Sequence, residues 1–406
     1  MNRNEKPVKL TLLNRYADKY RKGWPLLMRD AVANPEALKR EGQLIRLYDE
    51  RNRFIASGYY GHQNKGLGWL LSWEETAVID DTFFRNCLVK AIGARKGLYE
   101  SAETTAFRVF NGEGDGIGGL TIDYYDGYYV FTFYSQGIYS FKDTLLRVFA
   151  QVAGYVGLYQ KKRFDAAGKY IEEDDFLGGR PAPEPLVVLE NGIRYATYLN
   201  DGAMTGIFLD QRQVRRAIRD TYAKGRTVLN TFSYTGAFSV AAALGGALTT
   251  TSVDLANRSL PKTREQFTLN GVDPDSQEIL VEDVFGFFRY AYRKGLRYGL
   301  VILDPPSYAT SKDVTFAAER DYVGLLQEAI AITEAGGLIV ASTNCSSFDR
   351  TKFNGFIRQA FEAVGIAFEI LQEAGLPEDY KTLKTYPEGN YLKVAVIRRG
   401  QDPAAD

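Results

Sequence analysis

The chain has 406 residues, more than one ordinary domain holds, so two or three domains are expected. Hydrophobic residues make up 45% and charged residues 25%, as in a globular protein, and 50 basic against 50 acidic residues give no overall signal for nucleic acid. Two cysteines and one histidine are too few for a zinc site or for most Ser-His-Asp and Cys-His schemes. Because no disulfide framework and no run of roughly 18 apolar residues is present, we predict a cytoplasmic protein.

The first 185 residues are predicted to form two domains. Residues 1–78 contain short strand-like runs at Gly42–Tyr48 and Phe54–Tyr60 between turn residues, which is typical of a small β-rich domain. Residues 79–185 begin with helical spacing over Thr82–Arg95 and predict a central α/β domain. Its strand-like runs are Phe107–Phe110, Leu120–Tyr124 and Tyr128–Tyr134, and a hairpin tip with a linker is expected at Lys161–Pro185.

Residues 186–406 are predicted to form a parallel, doubly wound α/β sheet. Asn191-Gly192 lies between two apolar runs and predicts a hairpin turn. Strand-like and helix-like segments then alternate, as they do in such sheets. The expected strands are Thr227–Phe232, Thr249–Val253, Glu278–Val281, Tyr298–Leu303, Leu338–Ser342 and a closing strand at Tyr391–Ile397, with helices beginning at Ala237, Ser259 and Asp321.

A glycine-rich run at Gly114–Gly119 matches the dinucleotide pattern G-x-G-x-x-G letter for letter. That pattern indicates a nucleotide site only where a strand precedes it and a helix follows. A strand-like run, Leu120–Tyr124, follows it here. We therefore interpret these glycines as a hairpin connection and not as a nicotinamide cofactor site.

The better nucleotide site begins at Thr227–Phe238, where an apolar strand leads through a loop with one glycine, Gly236, into a helix. Such a loop lets the backbone approach a ligand, and the helix N-terminus favours a carboxylate. Asp254 follows the next strand and is placed to bind the ribose hydroxyls of an adenosine, and Asp283 is placed to reach the adenine amino group. Asp304 follows the fourth strand. Because open α/β sheets bind ligands at the carboxyl ends of their strands, we expect these acids to share one site.

Five stretches together resemble one family. They are Asn111-Gly-Glu-Gly-Asp-Gly, Gly206-Ile-Phe-Leu-Asp-Gln-Arg, Phe232-Ser-Tyr-Thr-Gly-Ala-Phe, Asp304-Pro-Pro-Ser-Tyr and Tyr386-Pro-Glu-Gly-Asn-Tyr-Leu-Lys. Over almost its whole length the chain is similar to the class I S-adenosylmethionine (SAM)-dependent methyltransferases of large-subunit ribosomal RNA, in the group that contains the 5-methylcytosine enzymes.

The resemblance implies an N-terminal PUA domain, a central α/β domain, a C-terminal Rossmann-like domain, SAM as cofactor and large-subunit ribosomal RNA as partner, without a membrane. Whether the protein forms a homodimer is left open. The residues that the loop pattern and the resemblance assign to SAM are Gln211, Arg212, Phe232, Tyr234, Thr235, Gly236, Asp254, Asp283 and Asp304.

Because PUA domains bind RNA, the resemblance gives a function to the early basic cluster, which comprises Arg3, Lys6, Lys9, Arg15, Lys19, Arg21, Lys22 and Arg29. A second basic cluster, at Arg212, Arg215, Arg216 and Arg219, also permits RNA binding.

The catalytic residues predicted for a cytosine carbon 5 target are Cys345 and Asp304. Carbon 5 is electron-poor until a thiolate adds to carbon 6, so a cysteine nucleophile is needed. Cys345 follows the fifth strand, as the nucleophile does in the cytosine enzymes of the family. Asp304 is expected to orient the cytosine or assist proton transfer. Cys87, on an apparent helix, is expected to be a packing residue.

The sequence leaves other methylation targets, and a function without catalysis, open. The cytosine enzymes read Ser-Cys-Ser-His, whereas this chain reads Asn344-Cys-Ser-Ser, and a ring nitrogen such as guanine N7 needs no covalent nucleophile. Enzymes of exocyclic amines place an aromatic residue directly after the Asp-Pro-Pro motif, but Ser307 precedes Tyr308 here. A non-catalytic RNA-binding assembly factor is a third alternative.

Overall fold

The computed structural model describes residues 6–63, 66–164, 170–171, 174–310 and 315–402. The chain divides into two units. The first unit comprises Met1–Val188, Thr197–Thr205 and Glu378–Gly389, and the second comprises Leu189–Ala196, Gly206–Pro377 and Asn390–Asp406. The three-domain division at residues 78/79 and 185/186 stays a prediction. Among the described residues, no helix combines the length and the apolar character that crossing a bilayer requires.

Two five-stranded sheets build the first unit, with strand orders β1-β3-β4-β5-β2 and β10-β9-β8-β7-β6. The strands are β1 (Val8–Leu12), β2 (Leu26–Leu27), β3 (Leu44–Asp49), β4 (Phe54–Gln63), β5 (Gly66–Ser72), β6 (Ala106–Asn111), β7 (Leu120–Tyr125), β8 (Tyr128–Phe133), β9 (Gly157–Lys162) and β10 (Phe176–Gly179). The helices are α1 (Ala17–Arg21), α2 (Asp81–Ala94), α3 (Lys96–Tyr99), α4 (Gln136–Tyr139) and α5 (Lys142–Phe149). The predicted hairpin after residue 161 is confirmed, since β9 and β10 pair antiparallel, although residues 165–169 and 172–173 of its tip lie outside the described residues.

The glycine-rich run after β6 serves packing in the first unit. A short 3-10 turn, Gly112–Asp115, follows β6, and the chain then enters β7, which pairs antiparallel with β6. A Cβ atom at Gly118 would lie 2.2 Å from the Trp69 ring, which no side chain tolerates. The interpretation of the run as a hairpin connection is therefore confirmed, and close packing against an aromatic ring explains its glycines.

The chain then forms a two-stranded sheet of β11 (Leu186–Glu190) and β12 (Ile193–Thr197). Asn191 and Gly192, at the turn, have φ values of 49° and 80°. Positive φ at both central residues is the requirement of a type I′ hairpin turn. The predicted hairpin is confirmed.

A seven-stranded sheet with order β15-β14-β13-β16-β19-β21-β20 forms the centre of the second unit. The strands of this unit are β13 (Thr227–Thr231), β14 (Thr249–Asp254), β15 (Glu278–Val281), β16 (Tyr298–Leu303), β17 (Tyr308–Thr310), β18 (Thr315–Ala317), β19 (Thr333–Thr343), β20 (Phe368–Ala374) and β21 (Lys393–Arg399). The helices are α6 (Arg212–Ala217), α7 (Ala237–Leu244), α8 (Ser259–Leu269), α9 (Val284–Lys294), α10 (Ala318–Ile332) and α11 (Arg350–Val364). Strands β15, β14, β13, β16 and β19 run parallel, and β21 and β20 pair antiparallel.

Alternating side chains of the central strands supply two hydrophobic cores, one on each face of the sheet. Val301 and Leu303 of β16 belong to one core, which α9, α10 and α11 cover. Leu300 and Ile302 belong to the other, which includes side chains of α6 and α7. Burial on both faces explains why these strands read as continuous apolar runs. The predicted α/β fold class is confirmed, and the structure adds β20, which the sequence did not indicate.

Candidate active site

The predicted site residues lie at the carboxyl edge of the parallel strands in the second unit. The strand order reverses between β13 and β16, because the chain proceeds from β13 outward through β14 to β15 and then returns to β16. Crevices at such a switch point are where open α/β sheets bind their ligands. The loops after these strands carry the residues discussed below.

The loop after β13 has an unusual backbone. Phe232, Tyr234 and Gly236 have φ values of 53°, 52° and 75°, so three of five consecutive residues are left-handed. Aromatic side chains rarely adopt this conformation, and such strain concentrates at ligand sites. A Cβ atom at Gly236 would lie 2.4 Å from Thr263 Cγ2, so this position accepts only glycine. The hydroxyl of Thr235 donates to the carbonyl of Gly206 at 2.7 Å and ties the loop to the segment before α6.

Asp254, at the end of β14, supports this loop. Its Oδ2 accepts from the Tyr234 N–H at 2.8 Å, and its Oδ1 accepts from the Ala256 N–H at 2.9 Å. The carboxylate is partly exposed. Asp254 and Tyr234, two predicted cofactor residues, are thus hydrogen-bonded to each other. This bond also holds the strained backbone of the loop in place.

Asp283 begins α9 as its N-cap, with Oδ2 accepting from the Gly286 N–H at 2.9 Å. Capping is sufficient to account for an acid at this position. Next to it, the ring of Phe285 lies 6.2 Å from the ring of Phe232, so the loop after β15 reaches the loop after β13. A role of Asp283 toward adenine stays a prediction.

Asp304, Gln211 and Ser342 form a hydrogen-bonded group at the end of β16. Gln211 Nε2 donates to Asp304 Oδ1 at 3.0 Å and to Ser342 Oγ at 2.8 Å. Gln211 Oε1 is buried and has no hydrogen-bond partner among the described residues. Burial raises the pKa of Asp304 to about 6, although hydrogen bonds from Ser342 and Gln211 oppose that shift. The sequence patterns did not identify Ser342 as a site residue. Its only signal in the sequence is that it is a small polar residue within an otherwise apolar strand.

Arg212 begins α6 and is 3% exposed. Three residues further on, Arg215 is fully buried, and its Nε and Nη2 donate to the two carboxylate oxygens of Glu190 at 2.6 and 2.7 Å. The hypothesis that this basic cluster offers an RNA-binding surface is therefore wrong for these two arginines. Arg215 lies inside the unit because a buried carboxylate on β11, that of Glu190, compensates its charge.

Cys345 lies half-buried in the loop after β19. Its N–H donates to Thr343 Oγ1 at 3.2 Å, and its carbonyl accepts from Lys393 Nζ at 2.8 Å. The neighbouring Asn344 accepts a hydrogen bond of 2.5 Å from Ser307, in the loop that begins with Asp304. The structure therefore brings together the two loops that carry the predicted catalytic residues. Both cysteines contact a hydrophobic core, Cys345 that of the second unit and Cys87 that of the first, and burial raises the pKa of Cys87 to about 11.

Comparison with known proteins assigns the chain to a family. Residues 108–364 match the model of the S-adenosylmethionine-dependent methyltransferases, and residues 10–73 match that of PUA-like domains. The chain belongs to the SAM-dependent methyltransferase family. SAM is therefore the cofactor of this methyltransferase, and the expected N-terminal PUA-like domain is confirmed.

Relatives of this methyltransferase match it over nearly its full length. YwbD of Bacillus subtilis, whose name places it among the ribosomal RNA large subunit methyltransferases, is 56% identical over 96% of this chain and 99% of its own. Ribosomal RNA large subunit methyltransferase I of Alteromonas mediterranea is 31% identical over 94% of this chain and 96% of its own. A SAM-dependent methyltransferase structure from Streptococcus mutans superposes with a TM-score of 0.87 at 38% identity, covering 96% of this chain and all of that one. A methyltransferase structure solved with S-adenosylhomocysteine gives 0.89 at 38% identity, again over 96% of this chain and all of that one.

Proposed function

We propose that this methyltransferase modifies carbon 5 of a cytosine in large-subunit ribosomal RNA through a covalent adduct of Cys345. The names of relatives that match end to end support the RNA substrate. The observation that carries the carbon 5 target is the position of Cys345, in a loop bonded through Asn344 and Ser307 to the loop of Asp304. A carbon 5 enzyme needs a thiol beside the target base.

The residues at the carboxyl edge fit SAM. Its ammonium group needs acceptors, and Gln211 Oε1 is a buried acceptor that lacks a partner among the described residues. Its carboxylate needs donors, which the backbone N–H groups at the start of α7 supply. Asp254 has acceptor capacity on both oxygens for the ribose hydroxyls, and Asp283 lies next to the aromatic contact of Phe232 with Phe285. We assign Arg212, Tyr234, Thr235, Gly236 and Asp304 to the same site.

The residues of the chain divide the chemistry between them. SAM supplies an electrophilic methyl group when bound. Cys345 adds to carbon 6 of the cytosine, which makes carbon 5 electron-rich enough to accept that methyl group. Asp304, with its pKa raised to about 6, retains a proton more readily than an ordinary aspartate and is suited to hydrogen-bond the cytosine ring or to move a proton there.

The early basic cluster is the surface that we assign to the RNA. All seven of its described side chains are exposed, whereas Arg212 and Arg215 are buried, and Arg3 lies outside the described residues. The exposed members are Lys6, Lys9, Arg15, Lys19, Arg21, Lys22 and Arg29. Five of them, from Arg15 to Arg29, lie within residues 10–73, which match the PUA-like domain, and contacts of lysine and arginine with phosphates supply a large share of nucleic-acid affinity.

Nucleoside mass spectrometry of large-subunit ribosomal RNA, from cells with and without the gene, tests the target. Loss of 5-methylcytidine on deletion is expected. Loss of 7-methylguanosine would instead show a nitrogen target and leave Cys345 with a packing role. Unchanged modification in cells whose only copy cannot bind SAM would indicate an assembly factor.

Covalent trapping tests the nucleophile directly. RNA with 5-fluorocytosine at the target position cannot lose the carbon 5 substituent as a proton, so a cysteine adduct persists. We expect a stable complex with the wild-type protein and with Cys87→Ala, but none with Cys345→Ala. Methylation by Cys345→Ala at the wild-type rate would remove Cys345 from the mechanism.

A further inference from the structure

A chain of hydrogen bonds leads from the Cys345 thiol to the protein surface. Cys345 Sγ lies 3.2 Å from Ser347 Oγ, and Ser347 Oγ donates to Glu319 Oε2 at 2.9 Å. The other carboxylate oxygen of Glu319 accepts from Lys352 Nζ at 2.6 Å. The loop after β19 and the first turns of α10 and α11 thus meet beside the thiol.

The hydrogen-bond pattern fixes the direction of this chain. A serine hydroxyl has one proton to donate, and the hydroxyl of Ser347 donates it to Glu319. Toward Cys345 the hydroxyl therefore presents only its lone pairs, so the thiol is the donor of the 3.2 Å contact. Every bond is oriented from sulfur toward the carboxylate, which is the arrangement that a proton transfer needs.

Glu319 is suited to receive a proton and release it. Its hydrogen bond to Lys352, followed by that to Ser347, lowers the pKa of Glu319, so the carboxylate is ionised at neutral pH and is a weak base that passes a proton on to water and does not keep it. The side chain is 51% exposed, so a proton received there exchanges with water.

The other charged groups near the thiol come from β21 and α11. Lys393 binds the Cys345 carbonyl, and burial lowers the pKa of this lysine while attraction to Cys345 opposes the shift. Asp349 and Arg350 act on Lys393 with opposite signs. Among these groups, the described contacts connect only Glu319 to the sulfur through a hydroxyl.

We propose that Glu319, through the hydroxyl of Ser347, takes up the thiol proton of Cys345 as the sulfur attacks the cytosine. The S–H bond breaks and its proton passes to Ser347 Oγ, while the Ser347 hydroxyl proton passes to Glu319 Oε2. The electron pair of the S–H bond stays on sulfur and forms the bond to carbon 6, and the π electrons of the ring double bond move toward carbon 5. Ser347 and Glu319 are both positioning residues, because they act on the substrate only through Cys345. This inference rests on the proposed function, because a nitrogen methyltransferase needs no thiol nucleophile.

The rate at which the full-length protein, in a Cys87→Ala background, forms its covalent adduct with 5-fluorocytosine RNA tests the proton route. An ordinary thiol is about one-thirtieth ionised at pH 7. Because most of such a thiol carries its proton at pH 7, we expect Ser347→Ala and Glu319→Gln to form the adduct at least tenfold more slowly than the background at pH 7, and to approach its rate at pH 9, where hydroxide ionises the thiol. Ser347→Thr keeps the hydroxyl and should react within twofold of the background. Glu362→Gln, which changes an exposed acid on α11, is the matched control.

The sign of the Glu319→Gln effect is decisive. If Glu319 acted only through its negative charge, the neutral glutamine would ease ionisation of the thiol and raise the rate of adduct formation at pH 7. That increase, an unchanged rate, or an equal loss at every pH would overturn the proton route. Single-turnover methylation of ribosomal RNA should show the same pH-dependent loss in both variants. Should Cys345→Ala methylate normally, the proposed function fails and the proton route fails with it. Should Cys345→Ala be inactive while Ser347→Ala and Glu319→Gln form the adduct at the background rate, only the proton route fails.

Discussion

The glycine of the loop after β13 allows a prediction whose magnitude follows from two separate features. Gly236→Ala places a non-glycine residue at a φ of 75°, and its Cβ atom would lie 2.4 Å from Thr263 Cγ2. A left-handed conformation costs an ordinary residue about 1–2 kcal/mol, and forcing an extra methyl group into a packed site costs about 1–3 kcal/mol. We expect the free energy of unfolding to fall by about 2–5 kcal/mol and the affinity for S-adenosylhomocysteine to fall at least tenfold, because the loop must move.

Two matched variants separate the backbone term from the steric term. Gly271 has a φ of 70° and no heavy atom within 4 Å of its Cβ position, so Gly271→Ala should cost only about 1–2 kcal/mol, the left-handed term. Thr263→Ala removes the two closest atoms, Cγ2 and Oγ1, so Gly236→Ala should cost less in that background than in the wild type. Urea unfolding measures the stabilities, and calorimetry with S-adenosylhomocysteine measures the binding. An equal cost of Gly236→Ala in both backgrounds would refute the steric argument.

Three further predictions concern charged side chains of the second unit. Asp254→Ala removes the acceptor of the Tyr234 and Ala256 N–H groups and should weaken S-adenosylhomocysteine binding more than tenfold by calorimetry, whereas Asp273→Ala, at an exposed turn, should not. Arg215→Met leaves Glu190 buried without its partner and should lower the free energy of unfolding by about 3–5 kcal/mol in urea, while the double variant Arg215→Met/Glu190→Met should recover much of the loss. Because the folded-state pKa of Asp304 is raised to about 6, its protonated form stabilises the fold at low pH and this contribution is lost as pH rises from about 4 to 6. The wild type should therefore lose about 2–3 kcal/mol relative to Asp304→Asn over that interval, and parallel stability curves for the two proteins would contradict the assignment.

The sheet of the second unit was predictable because its physical cause is visible in the sequence. Strands buried on both faces require continuous apolar runs such as Tyr298–Leu303, and helices between them require helical spacing. Residues at the carboxyl ends then follow from topology, which is why the positions of Asp254 and Asp304 at this edge could be predicted, while their roles stay predictions. Strand β20 escaped prediction because Phe368–Ala374 lies at the sheet edge, where polar side chains face solvent and interrupt the apolar pattern.

The roles of individual polar residues were less accessible, because a partner distant in sequence decides each of them. Arg215 reads as part of a basic surface until Glu190, 25 residues away, is seen to neutralise it inside the unit. Asp283 reads as a cofactor ligand, yet its described hydrogen bond caps α9. Local composition contains no information about either contact, so burial and pairing had to come from the structure.

A partner distant in sequence also explains how this chain departs from the Ser-Cys-Ser-His pattern. Ser347 stands where that pattern has histidine, and by itself a serine is a poor proton acceptor near neutral pH. In the fold, however, Ser347 contacts Glu319, a carboxylate that Lys352 keeps ionised, so serine and glutamate together connect the sulfur to a proton acceptor. A substitution that argues against a cysteine mechanism in the sequence is thus compatible with one in the structure, because the acceptor lies 28 residues away on α10.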